Sequence, residues 1–408
     1  MRRRVAITGA GVISSLASSP SELHAALCEQ RSGFRAIEEF ASQGFGLRPG
    51  GNLALFQAER YLPGKSLRPL DRTGRLVAAA AALALENSGL NQEALASEEV
   101  GLVLGTMFSS MHTIGQFDRR ALVEGPSCAS PLDFANTVIN SGAGQTAIWH
   151  KLRGINSTIS TGATSGLMAL SYAVDLISYG TQNAILVGGA DEFCFESFCG
   201  LERAGLLKHR YTEEDCSIPF HSRRNGLALT EASALLMLEE WESALARDAT
   251  ILGEVRGHAN AYDSRYQMEG YGANAMVRAM RAALAEGGLF APEVDFISAS
   301  ANGSRLADKN EALAIKAVFN GHALGSPIVA IKSMIGETLG ASGVVQAIDA
   351  IESLRTGTLP GIAGLDNADP ELPALDLCTK TRNLQARSGL INSVGFDGQA
   401  CSLLICTP

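Results

Sequence analysis

A side chain that attacks a carbonyl is well placed at a sharp turn between a strand and a helix, where free backbone N–H groups and the helix dipole stabilise negative charge. The run Asn156-Ser157-Thr158-Ile159-Ser160-Thr161-Gly162-Ala163-Thr164-Ser165-Gly166 has that form: a β-type stretch turns into a long apolar helix that ends near Gly180. The residue at the turn is Ala163, so a nucleophile's position carries a methyl group. Thr161, Thr164 and Ser165 put hydroxyls beside it, but no neighbouring motif supplies a base. Helix capping is their expected role.

A second candidate is Ile7-Thr8-Gly9-Ala10-Gly11, where a strand feeding Gly-x-Gly resembles a phosphate-binding turn. Ser14 holds the third glycine position, and no acidic residue follows a second strand at the required distance, so a tight strand-to-helix turn is expected instead. The eight cysteines (Cys28, Cys128, Cys194, Cys199, Cys216, Cys378, Cys401, Cys406) contain no Cys-x-x-Cys pair. They signal neither a metal site nor a redox motif, and read as buried free thiols of a reducing cytosol. Arg60, Lys65, Arg68, Arg72 and Arg75 form one local basic stretch, read first as a solvated face. Lys+Arg 33 against Asp+Glu 42 gives a net charge of −9, so nothing global draws the chain to nucleic acid or an anionic membrane. Met1-Arg2-Arg3-Arg4 mimics the start of a signal peptide, but Thr8, Gly9 and Gly11 interrupt the apolar run that follows, and no stretch is long enough for a bilayer span. A cytoplasmic protein is expected.

Something large has to hold these groups. A chain of 408 residues, 46% hydrophobic and only 18% charged, is too apolar for disorder and long enough for two or three domains or a fused pair. Short apolar β-type runs ending in Gly or Ser alternate with Ala/Leu-rich stretches, the rhythm of an α/β protein with buried strands. Strands are expected at residues 5–7, 100–104, 184–187, 296–298 and 328–331, and helices at 74–87, 165–177, 273–285 and 342–354. In the third helix Ala273, Met276, Val277, Met280 and Leu284 recur at helical spacing. A seam is expected near Ala249, where the polar stretch 241–248 joins Leu236-Met237-Leu238 to the run 251–255. Each side places a small-residue turn after a buried strand and then opens a helix.

The turn at 161–166, Thr161-Gly162-Ala163-Thr164-Ser165-Gly166, resembles the active-site turn of β-ketoacyl-acyl-carrier-protein synthases, Thr-Ala-Cys-(Ser/Thr/Ala)-Ser-Gly. Further landmarks of that family follow in order. They are Asn140-Ser141-Gly142-Ala143-Gly144-Gln145, Leu152-Arg153-Gly154, Val187-Gly188-Gly189-Ala190-Asp191-Glu192, Pro219-Phe220, Arg224-Asn225-Gly226, Lys332-Ser333-Met334-Ile335-Gly336 and Asn392-Ser393-Val394-Gly395-Phe396. The resemblance spans essentially the whole chain. It breaks where the family carries its chemistry: Ala-His-Gly-Thr is Ala301-Asn302-Gly303-Ser304, Lys-Ser-x-x-Gly-His ends here in Glu337, and Gly-Phe-Gly-Gly-Thr is Gly395-Phe396-Asp397-Gly398-Gln399. Cys-His-His has become Ala163, Asn302 and Glu337, while Lys332, Glu311 and Phe396 are retained.

The resemblance implies a thiolase fold: two similar α/β halves, residues 1–248 and 249–408, in a five-layer αβαβα sandwich. Claisen condensation needs a thiolate to accept the acyl chain and donors to stabilise the enolate left by decarboxylation. Ala163 cannot be acylated, Glu337 would be an anion facing a developing anion, and Asn302 keeps amide donors without an imidazolium's proton. Lys332 and Glu311 are then expected as a partly buried ion pair. Within the family the pattern most resembles a chain length factor, a non-catalytic subunit of a type II polyketide or polyene synthase. Such a subunit is not an enzyme on its own; it pairs with an active ketosynthase and shapes the tunnel for the growing chain. The implied partners are that ketosynthase, bound through an edge strand at about 155–160, and an acyl carrier protein meeting the basic stretch. No resident cofactor is implied, since phosphopantetheine arrives on the carrier. Met111, His112 and Gly115, with Phe134 and Thr137, are the implied tunnel and interface residues. The alternatives are a lipid- or acyl-binding module acting without a ketosynthase, a loading decarboxylase, and an engineered loss at Ala163 alone.

Overall fold

The computed structural model describes residues 2–38, 40, 48–90, 99–207, 217–268 and 270–408. Cys216, one of the expected free thiols, lies outside the described residues. Ten strands carry the fold: β1 (Val5–Ile13), β2 (Gly101–Gly105), β3 (Asn156–Ile159), β4 (Ala184–Asp191), β5 (Ala232–Glu240), β6 (Gly253–Tyr262), β7 (Phe296–Ser298), β8 (Ile328–Val329), β9 (Ser388–Val394) and β10 (Gln399–Cys406). They lie side by side in the order β8-β7-β9-β10-β6-β1-β5-β4-β2-β3. Read from its outer edge, the first half runs third, second, fourth, fifth, first, and the second half repeats that order strand for strand. The directions repeat too, since the outer three strands of each half are parallel and the next two antiparallel. Antiparallel pairing of Val5, Ala6 and Ile7 with Val255, Glu254 and Gly253 joins the halves.

The strands alternate because both faces are covered. Along β4, Ile185 and Val187 enter a central core while Ala184 and Leu186 enter an outer one; in β5, Leu236 and Leu238 split from Leu235 and Met237 in the same way. In β10, Leu403 and Ile405 face the centre and Leu404 and Cys406 the other outer core. The helices that bear on the layers and the site are α1 (Pro20–Cys28), α2 (Arg72–Ser88), α3 (Met111–Val123), α4 (Ser141–His150), α5 (Ser165–Ser178), α6 (Phe195–Arg203), α7 (Asn274–Gly287), α8 (Arg305–Phe319), α9 (Lys332–Ile335) and α10 (Ser342–Thr356). Helices α5 and α10 sit between the two halves, α2 and α4 cover the outer face of the first, and α7 and α8 that of the second. This is the five-layer thiolase-type sandwich. None of the described helices is long and apolar enough to cross a membrane.

Helix α10 shows what a middle layer demands. Every residue from Ser342 to Leu354 is buried, so no face is free for polar groups. Gln346 answers by donating from Nε2 to the carbonyls of Ala299 (2.9 Å), Ser298 (3.3 Å) and Asn392 (3.3 Å), tying the helix to β7 and β9.

The turn expected at residues 7–11 is absent. Strand β1 runs through it with one register shift between Ile7 and Gly9. The glycines are there because α2 crosses directly over them: a Cβ on Gly9 would lie 2.5 Å from the Ala84 carbonyl, and one on Gly11 2.2 Å from that of Ala80. A Gly-x-Gly that resembles a phosphate loop is here a helix-packing surface.

Strand β3 ends the sheet and, among the described residues, leaves an edge unpaired. Helix α4 packs on it, with Asn156 Nδ2 donating to the Ala143 carbonyl at 3.2 Å. Nearby, α3 buries none of its residues, and its Phe117 ring meets Phe134 at 5.9 Å between centroids. Leu122, Val123, Leu132, Phe134, Val138, Ile139 and Ile148 stand exposed along this stretch of chain.

Candidate functional site

The turn before α5 is built by its own hydroxyls. Gly162 adopts φ +70°, the left-handed conformation that favours glycine, and Ala163 follows, 2% exposed. Ser165 Oγ accepts from Thr161 N at 2.9 Å and lies 2.6 Å from the Gly162 carbonyl, while Thr164 Oγ1 donates to the Thr161 carbonyl at 2.8 Å. The capping expectation is corrected accordingly: Thr164 is the N-cap residue but makes no side-chain cap bond, because these hydroxyls reach backward to hold the turn. The start of α5 is pressed against the loop before α10, where a Cβ on Gly166 would lie 2.2 Å from the Gly340 carbonyl.

Behind that loop is a closed polar cluster. Asn302 follows β7, and Glu337 follows α9. Asn302 Nδ2 and Lys332 Nζ each donate to Glu337 Oε2 at 2.9 Å; Ser342 Oγ (2.6 Å) and Leu339 N (3.1 Å) donate to Oε1. Lys332 is 2% exposed and Glu337 1%. This corrects two expectations. Lys332 pairs with Glu337 instead of Glu311, and the Glu337 carboxylate is saturated by four donors instead of facing an open site. Sequence order hid this, because only the turn of α9 brings residues 332 and 337 together.

Glu311 accepts from Ser300 N (2.9 Å) and Asn392 Nδ2 (3.3 Å), and its second oxygen has no partner among the described residues. Burial pushes its carboxyl up to about 7 despite the bond from Ser300. Phe396 packs against the apolar cluster that contains Phe193, Phe198, Leu201 and Leu339, which links the closing loop to the cluster next to the Glu337 segment.

Two acidic residues that the sequence showed only within a landmark do much of the positioning. Asp191, at the end of β4, accepts from Thr106 Oγ1 and from the backbone N–H groups of Met107, Phe108 and Gly340, all at 2.8–2.9 Å. It thereby fastens the loop after β2 to the loop before α10, and burial raises its pKa. Glu192 accepts from His112 N at 2.9 Å at the start of α3, and burial pushes it up to about 8. It lines a cavity of about 290 Å³ with Phe40, Arg72, His112, Phe193 and Cys194. The signal for both was the run Val187–Glu192 in the sequence, but not their partners, which are more than 70 residues away.

Of the expected tunnel residues, His112 lines this cavity and its ring lies 3.2 Å from Glu196. Gly115 faces the same Glu196, whose Oε1 would be 2.9 Å from an added Cβ. Met111 is half-buried, Phe134 is 61% exposed on the apolar stretch beside α3, and Thr137 bonds only the Phe134 carbonyl (2.8 Å) among the described contacts. The basic stretch divides. Arg60, Lys65 and Arg68 are exposed, whereas Arg72 turns inward to the buried Glu231.

The raised carboxyls give a pH prediction. The folded values of Glu311 (about 7) and Glu192 (about 8) lie above the ordinary 4.5, so the folded state keeps protons that the unfolded chain releases. Their contribution is full below about pH 4.5 and is lost as pH rises through about 7 and 8. The urea midpoint should therefore fall between about pH 6 and pH 9, and Glu192→Gln should flatten that fall. At about 1.4 kcal/mol per pKa unit, the Glu192 effect is bounded by a few kcal/mol. A midpoint that rises over this range would contradict the assignment.

Residues 2–244 match the β-ketoacyl synthase N-terminal domain family, and residues 252–366 match the β-ketoacyl synthase C-terminal domain family. The chain is 30% identical to a 3-oxoacyl-[acyl-carrier-protein] synthase 2 of Synechocystis sp., covering 98% of this chain and 97% of that protein. It is also 30% identical to the tetracenomycin polyketide synthase ketoacyl synthase beta subunit of Streptomyces glaucescens, covering 98% of each. Among solved structures, the ishigamide ketosynthase/chain length factor matches with a TM-score of 0.92 at 30% identity over 100% of both chains. These relatives overturn one expectation. The losses at 163, 302 and 337 pointed to a chain that is no enzyme on its own, yet curated relatives matching it over nearly its whole length are named as synthases. Three side chains are too narrow a base for that conclusion when the fold, Lys332, Glu311 and the helix N-terminus behind the turn all persist. The chain belongs to the β-ketoacyl synthase family.

Proposed function

We propose that this chain works as the chain-length-setting subunit of a ketosynthase pair, placing its α3 face against a second ketosynthase and bounding the channel into which an acyl chain grows on an acyl carrier protein. The observation that carries this reading is the coincidence, along one stretch of chain, of an unpaired edge strand, an amphipathic helix that buries none of its residues, and seven exposed apolar side chains. Exposed apolar surface on this scale marks an interaction site, and an open strand edge invites pairing with the like strand of another subunit. The cavity at His112 opens beside the same helix, so a partner docked there would extend it. The names carried by two relatives, a ketoacyl synthase beta subunit and a ketosynthase/chain length factor, support the reading. Phosphopantetheine would come with the carrier, which the exposed Arg60, Lys65 and Arg68 could meet electrostatically.

Coexpression with a ketosynthase that retains cysteine and both histidines tests this. The expected result is a 1:1 complex by native mass spectrometry, with the chain poorly soluble or homodimeric when expressed alone. A monomer that ignores the ketosynthase, or a homodimer that copurifies with bound lipid and does not exchange into the complex, would defeat the reading and favour a stand-alone acyl-binding role.

A further inference from the structure

Far along α10 from the site, a second cluster of reactive groups has no place in condensation chemistry. His24 and Cys28 stand one turn apart on α1, at the i and i+4 spacing that stacks side chains on one helix face. His24 is buried against α10, with Nδ1 2.8 Å from Asp349 Oδ1. Its Nε2 lies 3.1 Å from Thr356 Oγ1 and 3.5 Å from Cys28 Sγ. The proton positions follow from the partners. Thr356 Oγ1 donates its own hydrogen to the Glu352 carbonyl at 2.8 Å, so it can only accept from His24. Asp349 is buried, and its second carboxyl oxygen has no partner among the described residues. Both ring nitrogens therefore carry hydrogen, and the sulfur of Cys28 faces the N–H side of a cation. Although burial works against the charge, the bonds to Asp349 and Cys28 outweigh it and raise His24 to about 10.

The geometry points to Cys28 as a modification site: a thiol set against the His24–Asp349 pair that exchanges with low-molecular-weight disulfides. The Cys28 sulfur attacks one sulfur of R–S–S–R, forming a mixed disulfide. The original S–S bond breaks, and its electron pair leaves on the second sulfur as RS⁻, which takes up the proton that Cys28 releases to solvent. No further oxidant is required. Cys28 is partly exposed. It ends its helix, where the dipole opposes negative charge, and the group its sulfur meets is the His24 ring at 3.5 Å. The buried cysteines are poor competitors: burial pushes Cys194 and Cys401 up to about 12 and Cys378 and Cys406 up to about 11.

The internal control is Cys128, which is more exposed but whose only described partner is the Glu124 carbonyl at 3.5 Å. The protein is incubated with oxidised glutathione at neutral pH and the mixed disulfide at each cysteine is followed by peptide mass spectrometry. Cys28 should react faster than Cys128 by on the order of tenfold, and Asp349→Asn or His24→Gln should bring it down to the Cys128 rate. A Cys28 rate equal to or below that of Cys128 overturns the proposal, as does a folded Asp349→Asn variant with an unchanged rate. Where a variant fails to fold, the ratio of the two cysteines in the unaltered protein decides alone.

Discussion

Lys332→Met will unfold this protein at markedly lower urea concentration, with a loss of about 3–5 kcal/mol, the range for removing one partner of a buried ion pair. The methionine fills the space of the lysine stem but leaves Glu337, 1% exposed, without its counter-charge. Asn302, Ser342 and the Leu339 N–H still donate to that carboxylate, and none of them carries a charge. Adding Glu337→Gln should return most of the loss, because it removes the uncompensated buried charge while the amide oxygen can still accept from this donor set. The double-mutant cycle isolates the pair. If Lys332→Met costs less than about 1 kcal/mol, or the double variant is no better than the single, the cluster is not the pair described here.

His112→Trp, in the complex with a ketosynthase, should shorten the product. A channel of fixed length responds to a larger side chain by stopping elongation early, whereas a packing position responds by losing stability. His112 lines the 290 Å³ cavity, and its replacement by a larger ring at that wall leaves less room there. Gly115→Trp should act in the same direction from the next turn of α3. The atom in its way is the carboxylate end of Glu196, which can swing aside. The readout is the chain-length distribution by mass spectrometry, with early condensations continuing at near-normal rate. An assembled, active complex whose distribution is unchanged would remove His112 from the channel.

The alternation of buried strands and helices was largely legible in the residues because burial leaves period-specific traces, while the five-layer arrangement of two halves came from family resemblance. Helices expected at 165–177 and 342–354 are observed as Ser165–Ser178 and Ser342–Thr356, and the strand at 296–298 is unchanged. Local pattern failed where a distant element supplied the reason. Gly9 and Gly11 have the composition of a turn, and only the passage of α2 over them explains an uninterrupted strand. The partners of Lys332 were equally hidden: the sequence shows both Glu311 and Glu337 at plausible distance, and the choice is made by three-dimensional packing around Ser300 and Ser342. The positions of Ala163, Asn302 and Glu337 came from family resemblance, while the saturation of the Glu337 carboxylate could come only from coordinates.

The repeated strand order has a cost that appears while the chain is being made. The inner face of the first half, with Leu167, Leu170, Ile185, Val187, Leu236 and Leu238, is covered by α10 and by β9 and β10, which lie between residues 342 and 406. At a synthesis rate of about 5–20 residues per second, the ribosome needs on the order of ten seconds or more after β5 to produce that cover. During this interval a nearly complete five-stranded half presents its apolar inner surface, and the free side of β1, to the crowded surroundings of the ribosome. Yield in a cell should therefore be governed by chaperone supply and translation speed downstream of residue 240, independently of how stable the finished sandwich is.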